Sequence, residues 1–226
     1  MTSFETIRQF LIHSYGYFGL ADCLIIGLTT LYAALGYQGK AQEAYSALNH
    51  YISELGEVGV SPRAKVFNSG LIAGGLVLFP FVIGLGMALE NFWATLGIIA
   101  GLWTAVSIVF VGIFSMDNLS PHIRAANSYF WSGLVTVALF TLGIFLQPNP
   151  AQVDRMAGVL CLPALAAYSL FLFLAIKMGI ETSSSEDPLD PATLPERPRV
   201  WALPVSEWAV YFTTFIWFFG IALLEI

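Results

Sequence analysis

Charge is the first thing this sequence lacks. Only 11% of its 226 residues are charged, while 57% are hydrophobic and 15% aromatic; a soluble domain carries roughly 25% charged residues. Such a composition cannot cover a water-facing surface, and an intrinsically disordered chain needs the opposite balance. Positive charge is scarcer still, with nine Lys and Arg against fifteen Asp and Glu and a formal net charge of −6. The nine are scattered, so no basic patch is available for a phosphate backbone and a nucleic-acid partner is excluded. Cysteine is almost absent. Cys23 and Cys161 both fall in apolar runs, which supports neither a disulfide framework nor a zinc motif and makes both small buried hydrophobes. The three histidines, His13, His50 and His122, sit away from the middle of any apolar run, so a transmembrane haem has no axial ligands. Walker, dinucleotide-binding, zinc-protease, nucleophile-elbow and EF-hand motifs are missing as well. No cofactor and no metal are expected, and no reaction is named.

What the chain has is long apolar runs. A spanning helix needs about 20 apolar residues, and six segments qualify: from Phe10 or Tyr17 to Leu35, and then about 62–89, 92–114, 121–146, 151–177 and 206–224. The reading is an all-α, polytopic integral membrane protein, a single domain over 1–226 built as a six-transmembrane-helix bundle. Ser61-Pro62 and Ser120-Pro121 place a capping hydroxyl before a first-turn proline. Pro80 and Pro163 lie inside spans, where kinks are expected. Glu90 and Asn91 close a tight hairpin between the second and third spans. Glu181 to Pro204, rich in Ser, Pro and acid, reads as an exposed loop. In the first loop Ala41, Ala44, Tyr45, Leu48, Tyr51, Ile52 and Leu55 recur at helical spacing, so an amphipathic helix is predicted over 41–55, lying on the membrane surface or capping the bundle and ended by Gly56.

Six spans put both termini on one side. The odd loops carry Lys40, Arg63, Lys65, Arg124, Lys177, Arg197 and Arg199, and the other face only Arg8 and Arg155. The excess favours odd loops in the cytoplasm and extracytoplasmic termini, in the plasma membrane of a prokaryote.

Loops one and three must share a face. That brings His50, Ser53 and Glu54 towards Asp117, Asn118 and His122, with Asn68 and Asn127 about two turns inside the second and fourth spans. Ser53, Glu54, Asn68, Asp117, His122 and Asn127 are the candidate ligand-binding residues. They could form a pocket for a lipid headgroup, a divalent ion or acid–base chemistry at a helix N-terminus, or they could simply cap helices and tie loops. Asp22 is the intramembrane polar candidate. It is mid-span and costly if the first helix starts near Phe10, and nearer the interface if it starts near Tyr17. Gly70-x3-Gly74 and Gly97-x3-Gly101 provide smooth helix faces, for packing within the hairpin or for dimerisation. Trp201, Trp208 and Trp217 read as interfacial or lipid-facing aromatics.

An ordered series of short motifs carries a resemblance. Ile52-Ser53-Glu54-Leu55-Gly56 is followed by Ser61-Pro62 and Phe67-Asn68-Ser69-Gly70-Leu71-Ile72-Ala73-Gly74. Val111-Gly112-Ile113-Phe114, Asp117, Pro121-His122 and Ala125-Ala126-Asn127 with Phe130 come next. The chain resembles the family of small prokaryotic membrane proteins known as domain of unknown function 998, and more distantly the Frag1/DRAM/Sfk1 group of eukaryotic membrane proteins. The first resemblance implies a six-span fold without an agreed activity. The second implies a link to lipid remodelling, lipid distribution or membrane trafficking, makes Ser53, Glu54, Asn68, Asp117 and His122 the residues to test, and places the first loop outside the cytoplasm, against the charge count. Three functions compete: lipid binding at the odd-loop face, a non-catalytic subunit of a larger membrane complex, and, weakest, a small transporter. Membrane lipid is the leading partner, with a second copy or another membrane protein as alternatives.

Overall fold

A computed structural model describes residues 3–178 and 197–225. Six helices account for most of them: α1 (Ser3–Leu35), α2 (Ala64–Leu89), α3 (Phe92–Ile113), α4 (Leu119–Phe145), α5 (Arg155–Lys177) and α6 (Ala202–Glu225). All six are long and apolar enough to cross a membrane, and no strand occurs among the described residues. Each helix packs on its neighbours in the chain, and α6 closes back on α1. The result is a ring of six antiparallel helices, so all six contribute side chains to the space inside.

Helix packing in lipid gains little from the hydrophobic effect and depends on close approach. The glycines supply that approach, only partly within the hairpin of α2 and α3. Gly70 and Gly74 face α1: a Cβ at Gly70 would lie 2.0 Å from Thr29 Oγ1, and one at Gly74 would lie 2.4 Å from Ile26 Cγ1. Gly97 faces Phe140 of α4, while Gly101 meets Val82 of α2 and Thr136 of α4. These faces are covered within the chain.

The short connections have local causes. Glu90 takes a left-handed φ of 49°, and Asn91 caps α3 by accepting from Ala94 N at 3.0 Å while its amide donates to Gly143 O at 2.9 Å. Asp154 caps α5 by accepting from Met156 N at 2.8 Å. Neither predicted serine cap forms. Arg63 and Asn118 occupy the N-cap positions of α2 and α4 without a side-chain bond. Ser61 sits in a turn ahead of α2, and Ser120 and Pro121 lie within the first turn of α4. Both prolines inside helices, Pro80 and Pro163, are accommodated without ending α2 or α5.

The first loop departs most from expectation. No amphipathic helix spans 41–55; residues 37–51 form turns, followed by a short 3-10 helix, Ile52–Gly56. Gln42 has a φ of 62°, incompatible with a right-handed helix. Glu43 accepts from Ala41 N at 2.9 Å, Ser46 Oγ from Leu48 N at 3.3 Å, and the His50 ring from Ser46 N at 3.2 Å. These short side chains give the backbone local alternatives to a helical ladder. Of the apolar residues that suggested the helix, Ile52 and Leu55 are buried and Tyr45 and Tyr51 half-buried, while Ala41, Ala44 and Leu48 are exposed. Tyr45 packs edge-on against Tyr37 at 5.3 Å and Trp208 at 6.0 Å.

Of the loop expected over Glu181 to Pro204, residues up to 196 lie outside the described residues. From Arg197 the chain runs onto loop one, where Asn49 Nδ2 donates to Pro198 O at 3.0 Å and Trp201 N donates to Leu48 O at 2.8 Å. Pro204 already belongs to the first turn of α6.

Candidate functional site

Two polar regions emerge, a roof made by loops one, three and the 197–201 segment, and the interior of the ring beneath it.

In the roof, Glu54 is 2% exposed and fully engaged. Its Oε1 and Oε2 receive Arg197 Nη1 at 2.9 Å and Nη2 at 3.0 Å, a two-pronged ion pair. Tyr51 N adds a 2.8 Å bond to Oε1, and the Tyr37 hydroxyl reaches Oε2 at 3.3 Å. Burial, followed by the neighbouring carboxylates, pushes the phenols of Tyr37, Tyr45 and Tyr51 above their ordinary range. Tyr45 donates to Tyr51 O at 3.0 Å and accepts from Trp208 Nε1 at 3.1 Å. Asn68 donates to Gly56 O at 2.9 Å, and Asp117 accepts from Ser115 and from Val58 N at 3.3 Å. Three candidates, Glu54, Asn68 and Asp117, thus tie the loops to one another and to α2. The pairing of His50 with Glu54 on one helix face disappears along with the helix; His50 Nε2 instead lies 3.6 Å from Glu43 Oε1.

The other candidates line the interior. A cavity of about 200 Å³ runs from Ser53 and Met116 under the roof to Phe140 and Trp217 inside the ring. Ser53 Oγ contacts Met116 Sδ at 3.4 Å at its roof end. His122 is fixed through Nδ1, 2.7 Å from Phe114 O, which leaves Nε2 uncommitted. Asn127 lines the cavity wall close by, and its side chain makes no hydrogen bond among the described residues. Farther in, Thr104 and Thr136 bond to each other at 3.0 Å, and Tyr168 donates to Tyr129 at 3.2 Å. The rest of the wall is aliphatic and aromatic.

Asp22 also lines this cavity. Because α1 starts at Ser3, the residue is well inside the helix, about 20 Å from its loop-one end at 1.5 Å per residue. It is 3% exposed, and its Oδ1 has no hydrogen-bond partner. Gly74 makes room for that oxygen, since a Cβ there would come within 3.0 Å of it. A second acid, Glu207 near the start of α6, is 9% exposed and lines the same cavity, but its Oε2 accepts from Ile52 N at 2.8 Å.

Sequence reasoning missed Arg197 and Glu207. Glu207 had a visible signal, an acid inside an otherwise apolar span; Arg197 had none, since its partner is 143 residues away. The tryptophan reading is also revised: Trp217 is 2% exposed and belongs to the core, and Trp208 bonds to Tyr45. No group of three or more His, Cys, Asp or Glu side chains able to hold a metal occurs among the described residues.

A six-helix ring of membrane-spanning length around a largely apolar internal cavity defines an integral membrane protein. Residues 25–223 match the family described as protein of unknown function DUF998, and the chain belongs to that family. Neither the curated proteins nor the solved structures provide a match.

Proposed function

We propose that this protein binds a lipid chain, or a lipid-like amphiphile, inside the helix ring, admitting it from the roof formed by loops one and three. The cavity carries the reading: apolar walls lead inward from a mouth where His122 Nε2 and the Asn127 amide are uncommitted. Ligand sites typically have this form, apolar with a few placed polar groups, at volumes of roughly 300–1,000 Å³. At about 200 Å³ the cavity suits one chain and excludes a two-chain lipid from complete burial. The site is therefore not the headgroup pocket of Glu54, Asn68 and Asp117, whose bonds are committed to the fold. His122 and Asn127 line the mouth through which the guest passes.

Native mass spectrometry of protein extracted gently from its own membrane tests the proposal. Wild type should retain a lipid-chain adduct. Ala126→Phe, which projects a ring into the cavity, should reduce it at least tenfold, and Asn127→Ala should weaken it while leaving thermal stability unchanged. Equal adducts on all three proteins, or a stoichiometric protein partner with no bound chain, would overturn the reading in favour of a subunit role. The Lys and Arg excess of the odd loops supports a cytoplasmic mouth within the same proposal. An Ala41→Cys protein in intact cells should then resist a membrane-impermeant maleimide.

A further inference from the structure

The chain-binding reading leaves Asp22 unexplained. A carboxyl 3% exposed in the middle of a membrane helix, with Oδ1 unbonded, is costly unless something else meets it. Nothing in the protein does: among the described residues, no Lys or Arg lines the cavity, while two acids, Asp22 and Glu207, do. Glu207 gives one oxygen to the Ile52 amide, whereas Asp22 Oδ1 has no partner, so Asp22 is the acid less engaged by the fold. The cavity that Asp22 lines is rich in aromatic rings. Phe81 and Trp217 lie with ring centroids 6.3 Å apart, Phe218 packs against both, and all three line the cavity. An acid that shares a water-poor cavity with aromatic faces favours an organic cation, through Coulomb attraction and through the negative faces of the rings.

We propose that the cavity is selective for a lipophilic cation, a protonated or quaternary amine on an apolar chain, with its charged group held at Asp22 and its chain along the walls towards the mouth. The inference rests on the reading that the cavity takes an apolar guest, and adds the charge that the guest carries. An anionic or neutral headgroup would find no complementary charge at this depth, whereas an ammonium supplies the partner that Asp22 lacks. Desolvation of the ammonium opposes binding; it is offset only where a carboxylate and ring faces are already in place, so selectivity should vanish with the carboxylate.

The test compares decyltrimethylammonium with 1-decanol, which has the same chain and no charge, on full-length protein in non-ionic detergent, with bound copies counted by native mass spectrometry. Wild type should hold one decyltrimethylammonium at least tenfold more tightly than one decanol. Asp22→Asn, nearly the same shape, should lose that preference while still binding decanol. Decanol bound by both proteins, with the cation no better on wild type, would overturn the charge selectivity and leave chain binding standing. Failure of wild type to bind either probe would overturn both. Cation preference undiminished in Asp22→Asn would overturn the role of Asp22.

Discussion

Glu54 and Asp22 are both acids sealed from their surroundings, at 2% and 3% exposure, yet the protein treats them in opposite ways. Around Glu54 a guanidinium, a phenol and a backbone amide converge, so that both oxygens are committed. Around Asp22 the fold leaves room beside Gly74, and Oδ1 is left unpaired. A buried polar group with all its bonds made contributes to structure; one without them costs stability, and its presence calls for a role outside folding. The roof and the interior divide on this line. Sequence placed both acids among the candidates, and only their partners separate them.

The comparison breaks first at Glu54. Glu54→Ala strands the Arg197 guanidinium and the Tyr37 hydroxyl under the roof, and removing one member of a buried pair costs on the order of 3 kcal/mol. Arg197 keeps some exposure, with 22% of its side chain accessible, so solvent takes back part of that cost. Thermal unfolding in detergent should show a clear loss for Glu54→Ala, a similar one for Arg197→Ala, and a double variant less unstable than the sum. A Glu54→Ala protein as stable as wild type, with altered ligand binding, would return Glu54 to the binding site.

Close approach gives a second break, somewhat smaller. A Cβ at Gly56 would lie 2.2 Å from Asn68 Oδ1, and one at Gly74 would lie 2.4 Å from Ile26 Cγ1 and 3.0 Å from Asp22 Oδ1. Overpacking of this kind costs about 1–3 kcal/mol. Gly56→Ala and Gly74→Ala should therefore both lower the unfolding temperature. Only Gly74→Ala should also alter ligand retention, because only it displaces a cavity acid.

The architecture was legible in the sequence because lipid imposes one requirement, an apolar helix of sufficient length with its backbone bonds satisfied internally. The six spans follow from that, and the hairpin at Glu90 and Asn91 follows from capping chemistry. Loop one was misread for the converse reason. Its apolar spacing is compatible with a helix, but Gln42, Ser46, Asn49 and His50 bond locally, and Tyr45 finds Tyr37 and Trp208 across the fold. Ile52, Leu55 and Tyr45 are set by contacts with distant elements, and the exposed Ala41, Ala44 and Leu48 complete the helical spacing without a helix. The candidate site was half legible. Face-sharing of loops one and three brought the right residues to one end, but which of them are spent on structure depends on contacts such as Glu54 with Arg197, 143 residues apart. The ring order that creates the cavity is equally invisible in local pattern.

Asp22→Asn sharpens the comparison from the other side. Replacing an acid that has no partner removes a desolvation cost and leaves packing intact. Its effect on thermal unfolding should stay within about 1 kcal/mol of wild type, or be stabilising, in contrast to Glu54→Ala. A loss as large as that of Glu54→Ala would mean that Asp22 is held by the fold after all, and the division between roof and interior would fail.

The smallest expected effect concerns acid sensitivity of the roof. Burial alone would raise the Glu43 carboxyl, but its own backbone amide and that of Ala41, 2.9 Å away, outweigh it, and nearby His50 adds to the lowering. The carboxyl therefore ionises below its ordinary value when the roof is folded. A lowered folded-state value means that the unfolded chain binds the proton more readily, so the contribution is complete above the ordinary Glu value of about 4.3 and is lost as pH falls through the lowered one. Glu43 keeps a third of its side chain exposed, so the loss should be slight and weakened by salt. Between pH 5 and pH 3, wild type should lose slightly more thermal stability than Glu43→Gln, and the gap should narrow at high salt. Identical acid profiles for the two proteins would show that the Glu43 turn adds nothing to the roof, leaving Glu54 and Arg197 to hold loop one against the ring.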